Sequence, residues 1–159
     1  MHFALQRAQQ AEEVAAVHAA GTPLIADFMT QKNDIFARLT LPDDEWRLYR
    51  VLAAKLAAEA HASAPAPDFV VYLQASPEAL YARIQRRALP MELQIPDAYL
   101  RALCDAYNTF FYHYDRTPVL TVNAEHLNPL ESDADLALLV ERIETMRGRK
   151  ESFVKGMPR

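Results

Sequence analysis

Asp68-Phe69-Val70-Val71-Tyr72-Leu73-Gln74-Ala75-Ser76-Pro77-Glu78 decides the fold. Residues 68–74 are an unbroken apolar, β-branched and aromatic run, the pattern of a parallel strand covered on both faces. Ser76-Pro77-Glu78 then supplies an N-cap, a proline at the first helical position and an acid in the first turn, so a helix begins at once. Leu80, Ile84 and the pair Arg83/Arg87 fall on helical spacing along it. A strand running straight into an amphipathic helix is the first half of a parallel βαβ unit.

Toward the C-terminus the pattern repeats. Leu89-Pro90 interrupts the first helix, and Ile95-Pro96-Asp97 opens another that carries Tyr99, Leu100, Leu103, Ala106, Tyr107, Phe110 and Phe111. Pro118-Val119-Leu120-Thr121-Val122-Asn123 reads as a strand, and Ser132 to Arg147 as a helix with Leu136, Leu139, Val140 and Ile143 on one side. Residues 148–159 read as a polar, frayed tail beyond a domain spanning 1–147. Toward the N-terminus, the prolines of 61–67 mark a connector. Before it come a helix over about 42–60 with acids in its first turn, and a short helix over 34–39. Pro23-Leu24-Ile25-Ala26-Asp27-Phe28 reads as a third strand, and Phe3 to Ala20 as a helix stopped by Gly21. Three strands with flanking helices predict an α/β fold with a parallel sheet. In such sheets ligands bind beyond the carboxyl ends of the strands, which directs attention to Asp27, to 74–76 and to 123–126.

Composition narrows the class. A chain of 159 residues, 51% hydrophobic and 24% charged, suits one globular domain. Cys104 is the only cysteine, which excludes an internal disulfide and a multi-thiolate zinc site and fits a reducing, cytoplasmic setting. A net charge of -4 argues against a broad nucleic-acid surface, and no apolar run reaches the ~18 residues of a membrane span. The three glycines, Gly21, Gly148 and Gly156, stand apart, so there is no glycine-rich loop to cradle phosphates.

Arg83 and Arg87, four residues apart on one helix face, can present two guanidinium forks to one polyanion, with Glu92 beyond the proline break free to face a polar ligand. The same arginines also suit a helix C-terminus, where they complement the dipole and stay solvated. Asp27 at a strand end can orient a hydroxyl or accept a proton, or simply cap its turn. Arg7 reads by default as a surface arginine. The aromatics Phe110, Phe111, Tyr112 and Tyr114 continue an apolar helix face, and His113 and Cys104 have no spaced partner for a metal or nucleophile site.

Residues 27–37, 67–78, the arginine segment 83–95, and Tyr107-Asn108-Thr109-Phe110-Phe111 through Pro118-Val119-Leu120 together resemble the deoxynucleoside kinases, of the bacterial deoxyadenosine/deoxyguanosine kinase type. The likeness runs in order from Arg7 to Arg147. It implies a P-loop nucleoside kinase-like fold that moves the γ-phosphoryl of ATP, bridged by Mg²⁺, to the 5′-hydroxyl of a deoxynucleoside, a purine deoxynucleoside being favoured. By that resemblance Arg83 and Arg87 match lid arginines on the donor phosphates, and Glu92 the acid on the sugar 3′-hydroxyl. Arg7 matches an arginine of the base pocket, Asp27 an acid near the reacting hydroxyl, and Ala124-Glu125-His126 the loop beside the adenine of ATP.

The departures are specific. The family's phosphate loop, first strand and general base would all precede Met1. Arg87-Ala88-Leu89 stands where the family has Arg-Gly-Arg, and Ala26-Asp27-Phe28 where it has an acid-arginine or Ser-Asp-Tyr pattern. The expectation is an N-terminally incomplete fold that associates as a homodimer or takes a complementing N-terminal segment, with turnover by this chain alone not expected. A non-catalytic nucleoside-binding or dimerisation module derived from the kinase is the alternative.

Overall fold

The computed structural model describes residues 2–27, 29, 31–59 and 66–156, the side chains of 2–9, 11 and 56–59 lying outside that description. The chain divides into two compact units, Met1–Ala66 and Pro67–Arg159.

The first unit carries α1 (His2–Ala19), α2 (Lys32–Thr40) and α3 (Asp43–Glu59). Gly21, at φ +69°, takes the left-handed conformation that ends α1 without a Cβ penalty. Asp43, Asp44 and Glu45 occupy the first turn of α3, where the helix dipole favours acids. The Tyr49 hydroxyl donates to Asp34 Oδ1 at 3.0 Å. Burial first, and then that carboxylate, push the phenol up to about 12.

The strand expected over 23–28 does not form. Residues 22–26 carry no strand, Asp27 lies in a bend, and Phe28 is outside the described residues. Ile25 is 99% exposed, so the apolar run covers nothing. Apolar, β-branched residues permit a strand, but a ladder needs a second backbone to supply donors and acceptors, and none does so among the described residues.

The second unit holds β1 (Val70–Gln74), α4 (Pro77–Arg87), α5 (Asp97–His113), β2 (Val119–Asn123), α6 (Asp133–Thr145) and β3 (Lys150–Phe153). The strands form a parallel sheet in the order β1-β2-β3, with Val70 opposite Val119 and Leu120 opposite Glu151. Residues 150–153 are therefore sheet, which corrects the frayed tail expected over 148–159. Lys150-Glu151-Ser152-Phe153 is too polar to announce a strand, and β2 makes it one by offering a free edge.

Alternation divides the sheet into two faces. On one, Leu120, Val122 and Leu127 are almost wholly buried against Val71, Leu138, Leu139, Ile143, Met146 and Phe153. On the other, Tyr72 stacks on Phe111 of α5, with ring centroids 4.1 Å apart, and Phe111 meets Phe110 edge to face at 5.0 Å. β1 is covered less completely than its apolar run predicts, since Leu73 remains 55% exposed. Across the end of the sheet, the buried carboxylate of Asp135 accepts from Asn128 N–H at 2.8 Å and from the Lys155 ammonium, joining the start of α6 to the chain after β3. The Asn128 N–H first, and Lys155 with it, hold that carboxyl below its ordinary range.

Candidate active site

α4 starts and stops where its sequence dictates. The Ser76 side chain accepts from Ala79 N–H at 3.3 Å, Pro77 occupies the first turn, and Ala88 closes the helix at φ 52°, donating its N–H to the Ile84 carbonyl. Ala88 thus holds the left-handed cap position in which glycine is unstrained and alanine is not. The helix runs away from the carboxyl end of β1 and carries Arg83 and Arg87 with it.

Around the carboxyl ends of β1 and β2 the polar groups interlock. Ala124 N–H donates to the Gln74 carbonyl at 2.8 Å, which carries the backbone pairing one residue past the strands. The Asn123 side chain accepts from Glu125 N–H at 2.9 Å and so turns the chain back. Glu125 Oε1 accepts from the Ser76 N–H at 2.9 Å. Those Ser76 hydrogen bonds hold the Glu125 carboxyl below its ordinary range. On the α5 side, Asn108 Oδ1 accepts from both Tyr72 OH, at 2.9 Å, and Gln74 Nε2, at 2.7 Å. Burial first, then Cys104 and Tyr107, push the Tyr72 phenol up to about 12. The Cys104 thiol is likewise raised by burial, against the reactive thiolate that a nucleophile needs.

Arg83 and Arg87 take different partners. Arg83 Nη2 donates to the Ala124 carbonyl, whereas Arg87 Nε and Nη2 both reach Glu92 Oε2, at 2.8 and 2.6 Å. Helical spacing put the two guanidiniums on one face, but each has found the nearest acceptor. Glu92, expected to stand free beyond the proline break, is paired with Arg87 and its side chain is only 26% exposed. Its backbone N–H is bonded to the Leu89 carbonyl, in a turn that returns the acid toward α4. Asp27 and Arg7 belong to the first unit; Asp27 is exposed, and the Arg7 side chain lies outside the described residues. Among the described residues no three His, Cys, Asp or Glu side chains gather as a metal site would require. Nor is any of their helices long and apolar enough to cross a membrane.

Asn108 went unread as a site-forming residue, and Glu125 was read for its place after the last strand but not for its partner. Asn108 is exposed, but it lies four residues after the buried Cys104 and three before the buried Phe111 on α5, and an amide at that helical spacing was its signal. Glu125 carried no local signal for its tie to Ser76, because the partner is 49 residues away.

Residues 1–146 match the family model for deoxynucleoside kinase. Deoxyguanosine kinase of Bacillus subtilis (strain 168) is 32% identical over 124 residues, covering 77% of this chain and 58% of the relative. Deoxyadenosine/deoxycytidine kinase of the same organism is 23% identical over 145 residues, covering 87% of this chain and 66% of the relative. The chain thus spans less than two thirds of the length of either. Among solved structures, deoxyadenosine kinase from M. mycoides with bound dCTP superposes with a TM-score of 0.62 at 18% identity, over 87% of this chain and 71% of that one. That likeness extends to the parallel-sheet α/β fold.

Proposed function

This chain belongs to the deoxynucleoside kinase family, and from that premise we propose that it serves the transfer of the γ-phosphoryl of ATP to the 5′-hydroxyl of a purine deoxynucleoside. Its second unit supplies the lid of the reaction. The observation that carries this reading is the Arg87–Glu92 pair, which places a cation suited to phosphate and a carboxylate suited to a sugar hydroxyl side by side. Such an exposed pair is worth only ~0–1 kcal/mol, so a polyphosphate and a hydroxyl can displace it.

In that transfer the bond from the γ-phosphorus to the bridging oxygen breaks as the bond to the 5′-oxygen forms, ADP leaves, and the hydroxyl proton passes to a base that a complementing N-terminal segment would supply. Arg87, released from Glu92, meets the charge spread over the transferring group, and Arg83 lends a second guanidinium on the donor side. Glu92 accepts from the 3′-hydroxyl and orients the sugar. For Asp27 and Arg7, in the first unit, the family resemblance supports roles as an acid for the reacting hydroxyl and as a base-pocket residue. Mg²⁺, which would neutralise phosphate charge, usually keeps several waters and needs only one or two protein carboxylates.

Phosphorylation of deoxyguanosine and deoxyadenosine with ATP and Mg²⁺ tests the reading, alongside calorimetric titration with each deoxynucleoside. Deoxynucleoside binding that is lost in Glu92→Ala supports it. Turnover by this chain that disappears in Arg87→Ala shows that it suffices for catalysis, and turnover only on adding an N-terminal segment shows that it does not. A second reading, a non-catalytic dimerisation module, is favoured by the internal engagement of both arginines and by Leu89 in place of an arginine. A stable dimer that binds no deoxynucleoside and no ATP would select it.

A further inference from the structure

α4 is tied at two points to the turn that follows β2. Near its start, the Ser76 N–H donates to Glu125 Oε1 at 2.9 Å, and Glu125 is itself fixed because its own N–H donates to Asn123 Oδ1 at 2.9 Å. Two turns farther along, Arg83 donates to the Ala124 carbonyl. The anchors are consecutive residues, while the positions they hold are seven residues apart, about 10 Å along a helix axis. α4 is also held on α5, where Ile84 is buried and Glu78 pairs with Arg101 at 2.8 Å, and the two ties add to that hold on the side of the β2 turn. Two ties at that separation resist a change of tilt toward or away from that turn.

The acid at 125 is otherwise misplaced. A carboxylate beside a helix that is to meet phosphates repels them, and on electrostatic grounds alone a neutral residue would serve better. What the carboxylate does instead is accept the N–H at the helix start, where the dipole favours negative charge. Arg83 spends its guanidinium on the same turn.

We infer that Glu125 is a positioning residue: through α4 it sets the place of the Arg87 guanidinium relative to the turn after β2, so that a nucleoside triphosphate meets one rigid body. The inference rests on the proposed donor site at α4. Arg87 sits a further turn beyond Arg83, so a small tilt at the start of the helix is magnified at its end. Displacements of about 1 Å at such a group cost up to two orders of magnitude in function.

The test is calorimetric titration of ATP into the full chain and into Glu125→Ala, Glu125→Gln and Arg87→Ala, with thermal midpoints measured for each. Removing a negative charge should tighten an anion, whereas positioning predicts that Glu125→Ala weakens ATP binding by about tenfold or more. Glu125→Gln keeps an oxygen for the Ser76 N–H and should restore affinity to within about threefold, the scale of a small geometric change. Should Glu125→Ala fail to fold, Glu125→Gln decides. Binding by it that is tighter or weaker than that of the unaltered chain by more than about threefold overturns the inference. Affinity that survives in Glu125→Ala but falls in Arg87→Ala overturns the inference alone and leaves the proposed function standing. No binding of ATP by the unaltered chain removes the proposed donor site and the inference with it.

Discussion

The two ends of α4 are built on opposite terms. At its start Ser76 is at once a side-chain cap and a backbone donor to Glu125, and Arg83 is bonded to the turn after β2. At its end Arg87 is 60% exposed and pairs with Glu92, five residues on across a strained left-handed turn. One end is tied to a distant part of the fold; the other is tied only to its own neighbourhood. The lesson is that partners far apart in sequence immobilise a helix, whereas a local exposed ion pair neutralises charge and remains exchangeable. The proposed lid, which would hold its place and yet release an arginine to a ligand, would need both.

The comparison fails first if the fixed end does not depend on the wall behind it. Phe111, buried on α5 against Tyr72, is that wall. Phe111→Ala should cost about 3–5 kcal/mol in urea unfolding. A loss under about 1 kcal/mol, far below the range for a buried aromatic, would mean that the stack does not anchor the sheet end.

Next in size is Asn108→Ala, which removes the solvent-accessible acceptor shared by Tyr72 and Gln74 and should cost about 0.5–1.5 kcal/mol. The same region has a pH signature. Because burial, and then Cys104 and Tyr107, raise the folded Tyr72 phenol to about 12, its contribution is fully present below the unfolded value of 10 and is lost as pH rises toward 12. Urea midpoints between pH 9 and 12 should therefore fall less steeply in Tyr72→Phe.

Ala88→Gly acts on the other end and should move stability the opposite way. Relief of the left-handed strain, reduced by the entropy of a more flexible unfolded chain, leaves a gain of up to about 1 kcal/mol in urea unfolding. A loss on this substitution would show that Ala88 is not strained.

The smallest effect belongs to Arg87→Ala. Its exposed pair should contribute no more than about 0.5 kcal/mol to urea unfolding. If stability instead drops by about 2 kcal/mol, beyond the range of exposed pairs, the loose end is structural and the contrast between the two ends collapses.

Much of this was legible before any coordinates. Ser76-Pro77-Glu78 announced a capped helix and the structure starts α4 there, while the apolar run before it and the one at 118–123 became β1 and β2. The aromatic face of α5 became a packed wall. Residues 83, 87 and 92 were singled out, and two of the three meet. What escaped was governed by partners elsewhere. Pro23–Asp27 had the composition of a strand and no ladder to join, whereas Lys150-Glu151-Ser152-Phe153 had little strand character and was drawn into the sheet by β2. Glu92 looked free beyond its proline because nothing local shows that the turn brings it back to Arg87.

By itself, then, the sequence determined where helices begin and end, which runs are apolar enough to lie at the centre of a sheet, and which charged residues sit near one another on a helix. These follow from interactions within four or so residues: caps, proline geometry and side-chain periodicity. Only the tertiary structure decided which extended segments become strands and which acceptor each arginine takes. A strand exists by virtue of its neighbour's hydrogen bonds, and a guanidinium is satisfied by whatever oxygen the fold brings within reach; for Arg83 that oxygen belongs to a residue 41 positions away.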